Sequence, residues 1–204
     1  MNTIELYVDP ICPFAWATSR WLKAAGQTVD CRVALRQMSL ATLNEGRDVD
    51  PGHRAKLNWS KRLGRVFAAA TADGGPNAFS ELYEALGTRI HNRHEKLSDT
   101  TVKEALATTS CSPALADVLD DPTWEDAVRT AHRCSQEALG GSGGSPIIAV
   151  NGTAFFGPVL TSVPNPDDGA ALLEAIIAAA TTPGFAVLQR PYQGPPTISH
   201  DANR

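Results

Sequence analysis

The residues best equipped for chemistry lie near the N-terminus, in Cys12-Pro13-Phe14-Ala15. They follow "IELYVDP", a run of β-branched and aromatic residues closed by Asp9 and Pro10, which reads as a strand ending in a turn. They lead into "FAWATSRWLKAAG", a stretch of helix composition that stops at Gly26. Cys12 therefore stands just ahead of a helix, with Pro13 at the first helical position, where a missing N–H leaves nothing unsatisfied. Unpaired N–H groups and the macrodipole at a helix start favour negative charge, so the expectation is a thiolate with a lowered pKa. The competing reading is a small buried hydrophobe, which is what most free cysteines are. Ala15 occupies the place where a C-x-x-C site carries its second sulfur, so this site has one sulfur to work with.

The elements that must position this sulfur can be read in outline. "DCRVALRQMSL" is a second strand with Val33 and Leu35 on one face, giving a β-α-β opening. Between about 51 and 140, five helix-like segments follow, with Ser, Asp or Asn before several starts and Gly after several ends. "SPIIAVNGTAFFGPV" is a pair of apolar strands around Asn151-Gly152, a hairpin signal, and "DDGAALLEAIIAAAT" is a last helix. The expected class is α/β: a thioredoxin-like core split by an all-helical lobe. The boundaries are 1–48 for the first half of the core, 49–140 for the insertion, 141–196 for the second half and 197–204 for a flexible tail.

Composition excludes several roles. The 204 residues are 43% hydrophobic, enough for one core with an inserted lobe, and the formal net charge is -4 with no long basic run. Nucleic acid and membrane are thus not expected as partners. The N-terminus has neither a charged n-region nor an apolar h-region, and four widely spaced cysteines suit a reducing compartment, so a cytoplasmic protein with free thiols is expected. Cys31, Cys111 and Cys134 read as inert thiols, with Cys111 the most exposed. The histidines lack closely set Cys or His partners, and no metal is expected.

Several long stretches, among them "DPICPFAWATSRW", "RQMSLATLNEGRDV", "LYEALGTRIHN", "EALATTSCSPALADVLDD" and "SPIIAVNGTAFFGPVLTSVP", resemble the DsbA-like thioredoxin-fold oxidoreductases. The resemblance is to their actinobacterial branch, the mycothiol-dependent nitroreductases. It implies a DsbA-like fold and a nucleophile at Cys12, supported by Pro13, Phe14, Ala15 and Trp16 and by Ser145 with a cis Pro146. It also implies a low-molecular-weight thiol, mycothiol or glutathione, as co-substrate for a small electrophile or disulfide. Members of that branch typically carry C-P-W-C; Ala15 replaces the resolving cysteine and points to a monothiol mechanism.

"GTRIHN" recurs in the resembling family and groups Arg89, His91 and Asn92 at a helix end. Arg89 is a candidate for a cofactor carboxylate or sugar, and His91 for the reacting sulfur. Asn44 is a fourth cofactor candidate, or else the cap of a turn. The functional expectation is a thiol-dependent oxidoreductase or transferase, acting as monomer or homodimer. The alternatives are an isomerase or tailoring enzyme like the kappa-class glutathione transferases, and a non-catalytic binding protein on the same fold.

Overall fold

Strand β1 (Asn2–Val8) pairs in parallel with β2 (Cys31–Gln37), and helix α1 (Pro13–Ala25) makes the crossover between them. This computed structural model describes residues 1–198. β3 (Ile147–Val150) returns antiparallel to β1, and β4 (Thr153–Phe156) closes a four-stranded sheet of order β2-β1-β3-β4. Registers align Leu35, Leu6, Ile148 and Phe155 across the strands, so one face is an apolar file. Asn151 and Gly152 both have positive φ, 51° and 88°, the geometry a two-residue hairpin needs.

Between β2 and β3 the chain is helical. α2 (Leu40–Leu43) is a short helical turn beginning at Leu40, the residue with which the expected second strand ends. The difference has a tertiary cause: the Ser39 hydroxyl accepts from the Thr42 N–H and the Asp9 carboxylate accepts from the Leu40 N–H, ending the strand. α3 spans Pro51–Gly87 and breaks at Gly75 (φ 68°, ψ -160°), so two expected helices form one bent rod. A π-helical turn, Thr88–Asn92, follows directly. α4 (Asp99–Leu106) matches its capped sequence signal, whereas "SPALADVLDD" forms a 3-10 stretch, Pro113–Asp120. A short 3-10 turn (Pro122–Trp124) leads into α5 (Glu125–Leu139), and α6 (Pro166–Thr181) packs beside α1.

Trp21 ties that last packing together, its indole N–H donating to the Gly169 carbonyl at 2.9 Å. The polar, Pro-rich end of the chain is anchored as far as Ile198. The Tyr192 ring meets Phe14 edge-on at 5.3 Å, Pro196 is buried, and the Thr197 N–H donates to the Thr161 carbonyl at 2.8 Å. The rest of the expected tail, 199–204, lies outside the described residues.

The seam between core and lobe rests on Trp16, which is 1% exposed, stacks on His91 and packs at a tilt against Tyr83. Gly87 permits this closeness: a Cβ there would come within 2.2 Å of the Trp16 ring. Gly87→Ala is therefore expected to destabilise the protein by about 1–3 kcal/mol through overpacking, read as a lowered Tm with altered tryptophan fluorescence. Gly141→Ala, where a Cβ meets nothing within 4 Å, is the matched control and should leave Tm nearly unchanged.

Candidate active site

Cys12 is the N-cap of α1, and its Sγ lies 3.5 Å from the Ala15 N–H and 3.2 Å from the Ser145 carbonyl oxygen. The helix start is thus aimed at the sulfur, as the sequence implies. The thiolate is not what results. Cys12 is 6% exposed, and burial pushes its thiol up to about 11. The nearby Asp9 carboxyl adds to the rise, while the Ala15 N–H, Ser145 and the Phe14 N–H pull the other way without offsetting burial. The Ser145 carbonyl also presents lone pairs to the sulfur, a partner suited to S–H and not to S⁻. The expectation of an ionised resting sulfur is corrected to a neutral thiol that donates to Ser145.

The Ser145–Pro146 peptide is cis and carries that carbonyl to the sulfur. Ser145 is held in turn by its hydroxyl, which accepts from the Asp9 N–H at 2.9 Å. Asp9 is the residue that sequence reasoning treated only as a strand end. Its carboxylate is fully buried and accepts from the Ile11 N–H (3.0 Å), the Leu40 N–H (2.7 Å) and the Ser60 hydroxyl (2.5 Å). Burial raises its pKa against those three hydrogen bonds. The signal available in the sequence was an acidic residue three positions before a candidate nucleophile.

The remaining candidates disperse. Phe14 is half-buried under Tyr192, and Ala15 is fully buried, its N–H facing the sulfur. Trp16 does not wall a pocket; it is core, and its indole N–H donates to Asn92 Oδ1 at 2.7 Å. Asn92 thus positions Trp16, and its oxygen is engaged. His91 pairs through Nε2 with the Pro10 carbonyl at 3.0 Å, and burial lowers its pKa to about 4, so it is neutral near pH 7. As the donor in that bond it steadies the loop ahead of Cys12, a supporting role in place of the expected contact with sulfur.

Arg89 is turned to other work. It pairs with Glu95 at 2.6 Å and Glu104 at 2.7 Å, and lines a cleft of about 860 Å³ between α1, β2 and the lobe that Cys12 does not line. Asn44 caps α2 by donating to the Leu40 carbonyl at 2.8 Å, and lines a different pocket of about 270 Å³. The four cofactor candidates are therefore not brought to one place. The cysteine ranking also reverses, because Cys111 is buried against Ala78 and Cys134 is the exposed thiol. Among the described residues no cluster of three His, Cys, Asp or Glu could hold a metal ion, and no helix is long and apolar enough to cross a membrane.

Comparison with known proteins follows this geometry. The family model described as Rv2466c-like, mycothiol-dependent nitroreductase Rv2466c, matches residues 11–190. The chain belongs to that family. It is by this membership a thiol-dependent oxidoreductase. A curated relative, the uncharacterized protein Rv2286c of Mycobacterium tuberculosis, is 29% identical over 196 residues, covering 94% of this chain and 83% of the relative. Among solved structures, a probable DsbA oxidoreductase from Streptomyces coelicolor superposes with a TM-score of 0.56 at 16% identity, covering 96% of this chain and 97% of its own. The cytosolic disulfide reductase DsbM from Pseudomonas aeruginosa, solved with GSH, gives 0.55 at 15% identity, covering 86% and 99%. Both are similar in fold, the DsbA-like thioredoxin type.

Two expectations follow. Alkylation of Cys12 by iodoacetamide should be slow at pH 7, well behind Cys134, and should climb about tenfold per pH unit toward about 11, as mass mapping of each thiol would record. Asp9→Asn should lower stability by about 1–3 kcal/mol, because an NH2 replaces one acceptor oxygen among three donors. The sign of its pH dependence is also set. A folded pKa above the unfolded value means the native state holds its proton longer, so wild-type stability carries a component that falls as pH rises from about 4 through the raised value. Denaturant melts across that range should show the component in wild type and not in Asp9→Asn.

Proposed function

We propose that the enzyme works by a monothiol exchange in which a low-molecular-weight thiol of the mycothiol type replaces the missing second cysteine. The observation that carries this reading is Ala15, fully buried three residues after Cys12, with its N–H on the sulfur and no thiol of its own. The other cysteines offer no substitute. Cys31 begins β2 beside Asn2, at the far end of a seven-residue strand from Cys12, about 20 Å by the rise of an extended chain. That is well beyond the roughly 7 Å over which two Cα atoms can be bridged. Cys111 is buried against the lobe, and Cys134 projects from α5.

The exchange is written in two steps. Cys12, on giving up its proton to solvent, attacks one sulfur of a small disulfide; the S–S bond breaks, a new S–S bond forms to Cys12, and the departing thiolate is protonated. A thiol cofactor then attacks the mixed disulfide, and Cys12 is restored as the cofactor and the bound fragment leave joined through sulfur. One half of the substrate disulfide thus leaves as a thiol and the other half leaves in a mixed disulfide with the cofactor; a second molecule of the thiol frees that half, so full two-electron reduction consumes two thiols, which end joined as their own disulfide.

The raised pKa supports a direction for this cycle. A low-pKa cysteine stabilises its reduced form and makes an oxidant, whereas a thiol pushed up to about 11 is a poor leaving group and favours the mixed disulfide. Reduction or conjugation of a substrate fits that balance better than oxidation of a client protein. The family's name supports mycothiol as the thiol.

The deciding experiment exposes the protein to mycothiol disulfide and maps adducts by mass spectrometry. A mycothiol adduct on Cys12, absent in Cys12→Ser and released by free mycothiol, is expected, whether or not the exposed Cys134 is also modified. An unmodified Cys12 beside a modified Cys134 would remove the proposal.

A further inference from the structure

The pocket of about 270 Å³ lies between α2, the first half of α3 and α5. Its lining carries five cations, Arg47, Arg54, Lys61, Arg65 and Arg129, against two carboxylates, Glu45 and Glu125. Pairing does not balance them. Arg129 grips Glu45 through two bonds of 2.6 and 2.8 Å, which uses that carboxylate fully. Glu125 is shared between Lys61 and Arg65, both on the same oxygen. Arg47 forms no ion pair with any described residue, and Arg54 pairs with an exposed Asp48 at 3.5 Å and donates to the Val49 carbonyl at 3.2 Å. Arg129 holds Glu45, and Arg65 with Lys61 holds Glu125, below the usual carboxylate range, so neither is relieved of its charge by protonation near neutral pH.

Arg65 adds an observation of another kind. It is 8% exposed; one terminal nitrogen donates to the Leu119 carbonyl at 3.0 Å and the other pairs with Glu125. Its Nε is buried and has no partner among the described residues. Folded proteins leave few buried donors unpaired, and a guanidinium fork is the donor geometry that suits carboxylate or phosphate oxygens.

The pocket is also wired to the reactive sulfur. Ser39 lines it, the adjoining Leu40 N–H and the Ser60 hydroxyl both donate to Asp9, the Asp9 N–H donates to Ser145, and the Ser145 carbonyl accepts from Cys12. We infer that this pocket, which Cys12 itself does not line, binds a small anion bearing a carboxylate or phosphate. The volume corresponds to about nine water molecules at about 30 Å³ each, room for one phosphate or a short di- or tricarboxylic acid. A neutral polyol would leave the surplus charge unanswered.

The test titrates the full-length protein with inorganic phosphate, citrate and myo-inositol, following heat release and thermal shift. Phosphate or citrate should bind saturably, more weakly as salt rises, and the tighter of the two tells a phosphate-bearing ligand from a polycarboxylate. Arg47→Ala and Lys61→Ala should each weaken binding by about tenfold, the effect of one charge-assisted contact, with unliganded Tm nearly unchanged. Arg65→Met should abolish binding, but Arg65 also braces Leu119 and Glu125, so the two surface replacements decide. No saturable binding of either anion to about 10 mM, indifference to both replacements, or equal binding of inositol overturns the inference. Cys12→Ser should bind the anions as wild type does. Anion binding without a Cys12 adduct would thus remove the exchange reading alone, and an adduct without anion binding would remove this one alone.

Discussion

One buried carboxylate holds the site together. Asp9 ends β1 at the seam of core and lobe, and its two oxygens collect donors from the loop before Cys12, from α2 and from α3. Its own N–H reaches Ser145 and so fixes the carbonyl that faces the sulfur. A charge so enclosed survives only when its oxygens are fully used, and three donors do that here. Remove them and the carboxylate becomes a liability; remove the carboxylate and three separate segments lose their common anchor.

The same enclosure settles a contest of magnitudes at Cys12. A helix N-terminus offers an anion at most about 2 kcal/mol in a partly buried setting, a little over one pKa unit. Complete burial can move a group by 3–5 units in the opposite sense. With the sulfur almost sealed, facing a carbonyl oxygen and near the Asp9 carboxyl, burial wins and the thiol stays protonated. The helix start still matters, because it orients the sulfur and keeps the rise from being larger. Activation must then accompany an event that opens the mouth or brings a proton acceptor. The Phe14–Tyr192 contact places the end of the chain directly beside that mouth.

What the sequence revealed and what it hid divide along a physical line. Signals written in neighbouring residues were legible: the Asn151-Gly152 turn, the Ser98 cap of α4, and Cys12-Pro13 at a helix start. Properties that depend on remote partners were not. The burial that raises the Cys12 thiol comes from the whole fold, and no local pattern reports it. Arg89 looks like a ligand for a cofactor until Glu95 and Glu104 close on it. Cys111 sits in a stretch with loop character, yet the bend of α3 brings Ala78 against it. α2 exists because Asp9, 31 positions earlier, takes the Leu40 N–H.

A site with one sulfur also changes what its surroundings must do. In a dithiol site, specificity can be spent on one partner, since the second sulfur completes the reaction from within. Under the proposed exchange two molecules would approach Cys12 in turn, each needing a foothold of its own so that the first does not block the second. The fold supplies unlike surfaces: an aromatic flank at Phe14 and Tyr192 beside the sulfur, and a separate cationic pocket beyond the Asp9 hydrogen bonds. Surfaces of such different chemistry do not compete for one ligand, and that is the condition an exchange with an external resolving thiol requires.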